Sequence, residues 1–156
     1  MKLQYPVSSI LSELLGYIKI FSYLRQNLLL KNLNSINTPG YVPKDLPTTD
    51  FAVSLHIAIN EYILHQRIVF IDSDHINYGV NGSFSINPIK DLEAQALLQS
   101  DKKVYQHYIQ CKLKENALHK KATIELLRLL PTTKDTAAIC TQDPESRIRG
   151  LYSAWT

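Results

Sequence analysis

The chain has 156 residues, with 17 lysine and arginine side chains against 14 acidic ones, 45% apolar residues and two cysteines. This composition and a net charge of +3 exclude an intrinsically disordered chain and a highly charged nucleic-acid-binding tail. The length is sufficient for one hydrophobic core, and two cysteines are too few for a disulfide framework. We therefore predict a single domain over residues 1–156 and a cytoplasmic location.

The first predicted element is a long helix from Pro6 to about Leu33, whose polar stripe is narrow. Such a helix should be enclosed, either as the central core helix of the chain or at the seam of a homodimer. Four charged residues recur every six positions along it: Glu13, Lys19, Arg25 and Lys31. They leave no uncharged window of about 18 residues, so we predict no membrane span. The predicted buried residues are Val7, Ile10, Leu11, Leu14, Tyr17, Ile18, Phe21, Leu24 and Leu28.

Residues 34–48 are predicted to form a connector, because three prolines push the preceding residues away from helical conformation. Thr48 or Thr49 should cap a second helix, with Asp50 in its first turn, where the helix dipole favours a negative charge. The helical pattern ends near Gln66. The predicted buried stripe of this helix is Phe51, Leu55, Ala58, Ile59 and Tyr62.

A small antiparallel sheet is predicted around residues 67–86, where the β-branched and aromatic run Ile68–Ile71 precedes two turn signals. A two-residue hairpin loop would place Tyr78 and Phe84 on opposite faces. A three-residue loop gives one apolar face, with the pairs Tyr78–Phe84 and Ile76–Ile86. We therefore predict the three-residue loop, with Gly82 at positive φ.

Asn87-Pro88 predicts the start of a third helix with an inward stripe of Ile89, Leu92, Ala96 and Leu97. At Ser100-Asp101 the sequence leaves open whether one helix continues or a second one begins. The helical pattern then runs to Pro131, which should stop it. Its predicted inward residues are Val104, Tyr108, Cys111, Leu118, Ala122 and Leu129.

Residues 131–156 are predicted to form a C-terminal helical tail of two short helices, the second one capped by Asp143-Pro144. The fold class is therefore mostly α (α+β): four to five helices in a helical domain with one small antiparallel hairpin sheet.

Two Glu-x-x-x-His pairs, Glu61 with His65 and Glu115 with His119, offer metal ligands on two different helices. His107 and Cys111 extend the second pair into a column. Because such a column turns by about 40° at each four-residue step, its members cannot converge on one ion. Ion pairs or a solvated face explain the spacing equally well. We predict no metal site and no cofactor, and the sequence contains no nucleophile elbow or glycine-rich phosphate loop.

The tail carries the candidate partner-binding residues, because arginine and aromatic side chains dominate interface hot spots. These residues are Arg147, Arg149, Tyr152 and Trp155. The leading hypothesis is a non-catalytic protein–protein interaction module, such as an adaptor, chaperone-like or regulatory subunit, that docks through a helical surface. A second hypothesis is DNA or RNA binding, since residues 101–156 carry ten basic and six acidic side chains. A third is a helix-bundle metal-binding protein.

Overall fold

The apolar N-terminal segment forms a long helix, as its periodicity predicts. In the computed structural model, which describes residues 7–80 and 83–130, this helix is α1 (Val7–Asn34). The other elements in chain order are β1 (Lys44–Asp45), α2 (Thr48–His65), β2 (Ile76–Tyr78), β3 (Phe84–Ile86), β4 (Ile89–Lys90), α3 (Leu92–Ser100) and α4 (Lys102–Leu129). The mostly α fold with a small antiparallel sheet component is confirmed. The predicted helical tail lies outside the described residues.

α1 is contacted on two sides, which explains its narrow polar stripe. Tyr17 and Phe21 pack against the β2–β3 hairpin and α2, while Leu29 packs against α4. α4 runs antiparallel to α1, because Tyr105 near its start contacts Asn32, and its middle contacts the middle of α1. Of the predicted buried residues of α1, Ile10, Leu14, Tyr17 and Phe21 are buried, whereas Leu11 is exposed. Within the described residues, no helix is both long and apolar enough to cross a bilayer.

Six aromatic rings meet where α1, α2 and the hairpin converge: Tyr17, Phe21, Phe51, Phe70, Tyr78 and Phe84. Phe21 stacks on Phe51 with ring centroids 4.1 Å apart, and Tyr17 meets Phe84 edge-on at 5.2 Å. Rings in these geometries add about 0.5–1.5 kcal/mol per pair beyond the area they bury. The aromatic cluster therefore attaches both α2 and the hairpin to α1.

The register of the hairpin is confirmed. Ile76 pairs with Ile86 and Tyr78 with Phe84, and the Gly79 N–H donates to the Ser83 carbonyl at 2.9 Å. Gly82 lies outside the described residues.

The prediction of a strand at Ile68–Ile71 is wrong. Within residues 7–80 and 83–130 this segment belongs to neither sheet. The ring of Phe70 instead stacks on Tyr78 at 4.7 Å and contacts Tyr17. Its apolar character therefore reflects side-chain packing and not backbone pairing.

A second two-stranded sheet, which the sequence did not predict, pairs β1 with β4. Because Ile89 and Lys90 are used in this ladder, the third helix does not begin at Asn87-Pro88. It begins after Asp91, whose carboxylate accepts a hydrogen bond from the Ala94 N–H at 2.9 Å. The predicted inward stripe is also wrong at Leu92 and Ala96, which are exposed, while Ala94 is buried.

Two helix boundaries are decided by individual residues. Asp101 separates α3 from α4, because its carboxylate accepts hydrogen bonds from the N–H groups of Lys103 and Val104. The predicted threonine cap of α2 is not formed, since the helix follows Pro47 without a side-chain cap. α2 ends where predicted, with Gln66 in the left-handed conformation at φ 55°.

We expect Phe84→Ala to lower the free energy of unfolding by about 3–5 kcal/mol, because the truncation leaves a cavity among the aromatic rings. Val80→Ala, in the exposed hairpin loop, should change it by no more than about 0.5 kcal/mol. Urea unfolding followed by circular dichroism measures both variants. Equal losses would contradict the assignment of the aromatic cluster as core.

Candidate functional site

The face of α4 that packs on α1 and α3 is polar over much of its length. Its buried residues are Tyr105, Ile109, Asn116 and Thr123. The Asn116 side-chain amide donates to the Ser22 carbonyl at 2.7 Å, and the Tyr105 hydroxyl donates to the Asn32 carbonyl at 2.9 Å. Burial raises the pKa of Tyr105 to about 12, so this hydroxyl stays a donor at neutral pH.

Four charged side chains form a cluster where α1, β1, α4 and the start of α3 meet. Arg25 binds both carboxylate oxygens of Asp45, with Nε–Oδ1 and Nη2–Oδ2 distances of 2.9 Å. Lys112 Nζ lies 3.0 Å from Asp45 Oδ2 and 2.7 Å from Asp91 Oδ2. Asp45 Oδ1 also accepts a hydrogen bond from the Leu46 N–H, and Asp91 Oδ1 accepts one from the Ala94 N–H. Two cations therefore balance two anions, and we call this set the charge cluster.

The pairing keeps Arg25, Asp45 and Lys112 ionised although they are wholly or partly buried. Burial acts to lower the pKa of Arg25, but the hydrogen bonds and charge of Asp45 outweigh it and the pKa is raised. Burial acts to raise the pKa of Asp45, but Arg25 and Lys112 together hold it below its usual range. The pKa of Lys112 is raised because its two carboxylates and Tyr108 outweigh desolvation. The cluster is thus paired internally at neutral pH.

The rotation of α4 about its axis is set by two contacts together: this pairing, and the packing of Tyr105 and Ile109 in the apolar core. Lys112 can reach both carboxylates only if its side of the helix faces α1 and α3, and removing one partner from such a cluster would leave a buried charge uncompensated. With Lys112 and Asn116 turned inward, the opposite side of α4 faces solvent. The charge cluster and the apolar contacts therefore position the exposed side of α4.

The outward side of α4 carries a row of six mainly apolar residues and two glutamates, which we call the outer stripe. Its residues are spaced alternately by four and three: Val104, Tyr108, Cys111, Glu115, Leu118, Ala122, Glu125 and Leu129. All except Tyr108 are exposed, and the exposed fractions reach 68% at Leu118 and 79% at Leu129.

The predicted inward stripe is therefore wrong at five of its six residues, which are exposed: Val104, Cys111, Leu118, Ala122 and Leu129. The sixth, Tyr108, is half-buried and packs against the core. The repeat itself is present, but the charge cluster turns it to solvent. Sequence periodicity identifies the residues that share this side of the helix, but it does not show whether that side faces the core or solvent.

A row of basic residues lies along one edge of the outer stripe. Its members recur every seven residues, each directly before a stripe residue: His107, Lys114, Lys121 and Arg128. All four are exposed, and we call them the basic row. α4 as a whole has seven lysine and arginine residues against Glu115 and Glu125. One of these acids, Glu125, is paired with Arg128 at 2.8 Å.

The candidate partner-binding residues predicted in the tail lie outside the described residues: Arg147, Arg149, Tyr152 and Trp155. Within residues 7–80 and 83–130, no group of three or more His, Cys, Asp or Glu side chains could hold a metal ion. The two Glu-x-x-x-His pairs therefore do not assemble into a site. Glu61 instead binds Arg67 at 3.0 Å, and His107 Nε2 lies 3.5 Å from Cys111 Sγ.

Comparisons of the chain with protein-family models, curated proteins and solved structures found no match. The chemistry of its own residues is therefore the basis for a functional proposal.

We expect Asp45→Asn to lower the free energy of unfolding by about 3–5 kcal/mol, because it leaves Arg25 and Lys112 buried with too little negative charge. The matched control is Glu61→Gln, which breaks an exposed pair and should cost less than about 1 kcal/mol. Urea unfolding at neutral pH compares the two variants. A small loss for Asp45→Asn would show that the cluster is dispensable.

Asp45 should also make the free energy of unfolding depend on pH in the acidic range. Its pKa in the folded protein is below the ordinary value of 3.8, so its contribution is complete above that value and is lost as the pH falls through the folded pKa. Wild type should therefore lose more stability than Asp45→Asn as the pH falls from about 4 through the folded pKa of Asp45. Equal losses in urea unfolding across this range would exclude Asp45 as the source.

Proposed function

We propose that the protein is an interaction module that binds another protein through the outer stripe of α4. The observation that carries this proposal is the exposure of three large apolar side chains on one side of α4, Val104, Leu118 and Leu129, at positions that fit a four- and three-residue spacing. Contiguous apolar patches on a protein surface mark interaction sites more often than scattered apolar residues do. The adaptor, chaperone-like or regulatory role predicted from the sequence is consistent with such a surface.

The spacing of the stripe favours a helical partner. A repeat of 3.5 residues keeps one seam of a helix facing a second helix along its whole length, with side chains of one inserting between those of the other. The 28 residues of α4 give a seam of about 42 Å. The two glutamates within the stripe interrupt its apolar character.

α2 also exposes large apolar residues, at Val53, Ile59, Ile63 and Leu64. We assign the interaction to α4 because its stripe extends over the whole helix and is oriented by the charge cluster. The α2 residues provide a control of equal exposure, since Ile63 and Leu64 are 65% and 72% exposed.

Nucleic-acid binding, the second hypothesis, is supported by the excess of basic residues on α4. The exposed leucines between them favour a protein partner, because phosphate contacts need no apolar surface. A cytoplasmic location remains a prediction from the cysteine content.

The test compares two double variants of the full chain, Leu118→Ser/Leu129→Ser and Ile63→Ser/Leu64→Ser. Because all four residues are exposed, both variants should retain the wild-type melting temperature within a few degrees. Proteins retained from a native lysate are identified by mass spectrometry. We expect a partner that binds wild type and the α2 variant and is lost from the α4 variant.

Retention of every partner by the α4 variant, or loss from the α2 variant alone, would refute the assignment to the outer stripe. A melting temperature that falls strongly in the α4 variant would show that the stripe is core.

A further inference from the structure

The partner that suits the outer stripe can be inferred from the charges at its edges, an inference that rests on the proposed function. One edge carries the basic row. The opposite edge turns into the contact with α1 and α3, where Tyr105 and Ile109 are buried and Lys112 is held in the charge cluster. A partner lying on the stripe therefore meets the exposed cations Lys114, Lys121 and Arg128 along one edge.

A shallow cavity extends the basic edge toward α1. It has a volume of about 380 Å³, and its polar lining consists of Gln26, Lys120, Lys121, Arg128 and one acid, Glu125, which is paired with Arg128. Lys120 is fixed there by its contact with the Gln26 amide oxygen at 3.2 Å and by the ring of Tyr23. The cavity offers room for acidic side chains beside the basic row.

A second copy of α4 is a poor occupant of the stripe. In an antiparallel pair, the same edges of the two helices meet, so the basic row of one copy lies along the basic row of the other. In a parallel pair, each stripe residue faces its own counterpart, so Glu115 and Glu125 each face a glutamate. Both arrangements place like charges together, and flanking charges decide which helices pair.

We propose that the outer stripe binds an acidic amphipathic helix, with apolar residues that interdigitate with Val104, Leu118 and Leu129 and with carboxylates that face the basic row. Apolar side chains supply the buried area, while the charges select the partner and speed its association. A polyanion without apolar groups, such as a nucleic acid, would leave the exposed leucines uncovered.

The test measures binding of three labelled synthetic helices to the full chain by fluorescence anisotropy. Each peptide has three heptads with leucine along one face, and the flanking positions are all Glu, all Gln or all Lys. We expect the Glu peptide to bind about tenfold more tightly than the Gln peptide, and the Lys peptide to bind most weakly. The advantage of the Glu peptide should shrink as salt rises from about 50 to 200 mM.

Charge reversal of the basic row, Lys114→Glu/Lys121→Glu, should invert the order of the Glu and Lys peptides. The matched control is Lys19→Glu/Lys31→Glu, which changes the net charge equally at exposed positions of α1 and should keep the wild-type order. Inversion by both variants would show that net charge, and not the basic row, selects the partner.

Failure of the inference and failure of the proposed function give different results. Two results would overturn the acidic partner and leave the proposed function of the stripe intact. The first is equal binding of the Glu and Gln peptides. The second is binding of neither peptide while the lysate partner still requires Leu118 and Leu129. A lysate partner that is indifferent to Leu118 and Leu129 overturns the function as well.

Other occupants are identified with a photo-crosslinking residue at position 118. Crosslinking to the Glu peptide supports the proposal. Crosslinking only to a second copy of the chain or only to residues 131–156 overturns the proposal. Displacement of the peptide by a labelled DNA duplex that binds more tightly overturns it as well.

Discussion

The ion pairs of Lys112 with Asp45 and Asp91, completed by Arg25, are the constraint on which the arrangement of this protein depends. Burying four charges costs desolvation energy, and a well-packed apolar cluster of the same volume would stabilise the fold as much or more. The charges instead restrict α4 to one rotation about its axis. Only the rotation that brings Lys112 to both carboxylates leaves no buried charge unpaired. The same contact fixes β1 and the cap of α3, so elements far apart in sequence are positioned together.

Features that depend on neighbouring residues could be predicted from the sequence. The apolar periodicity gives the extent of α1, and Gln66 ends α2 where the pattern changes. The register of the hairpin follows from the requirement that Tyr78 and Phe84 share one face, because a shift of one residue would expose half of its apolar side chains. These conclusions need no knowledge of what lies across the core.

Features that depend on distant residues could not be predicted. Ile89 and Lys90 form a strand instead of a helix start because Lys44 and Asp45 lie beside them, more than forty residues earlier. The outward direction of the α4 stripe depends likewise on Lys112 meeting Asp45, which is 67 residues away. Periodicity identifies the two faces of α4, but the apolar face is not automatically the inner one. A lysine and an asparagine at helical spacing, Lys112 and Asn116, were the only local sign that the polar face is buried.

α4 thus departs from the usual amphipathic helix, which turns its apolar side to the core and its polar side to water. Its buried residues combine Tyr105 and Ile109 with the polar Asn116 and Thr123, while Leu118 and Leu129 are exposed. This exposure costs little in the isolated chain, because both leucines are also exposed to water when the protein is unfolded. In the function that we propose, the same side chains would release water when a partner covers them, which favours association. The basic row beside them would then distinguish one partner from another.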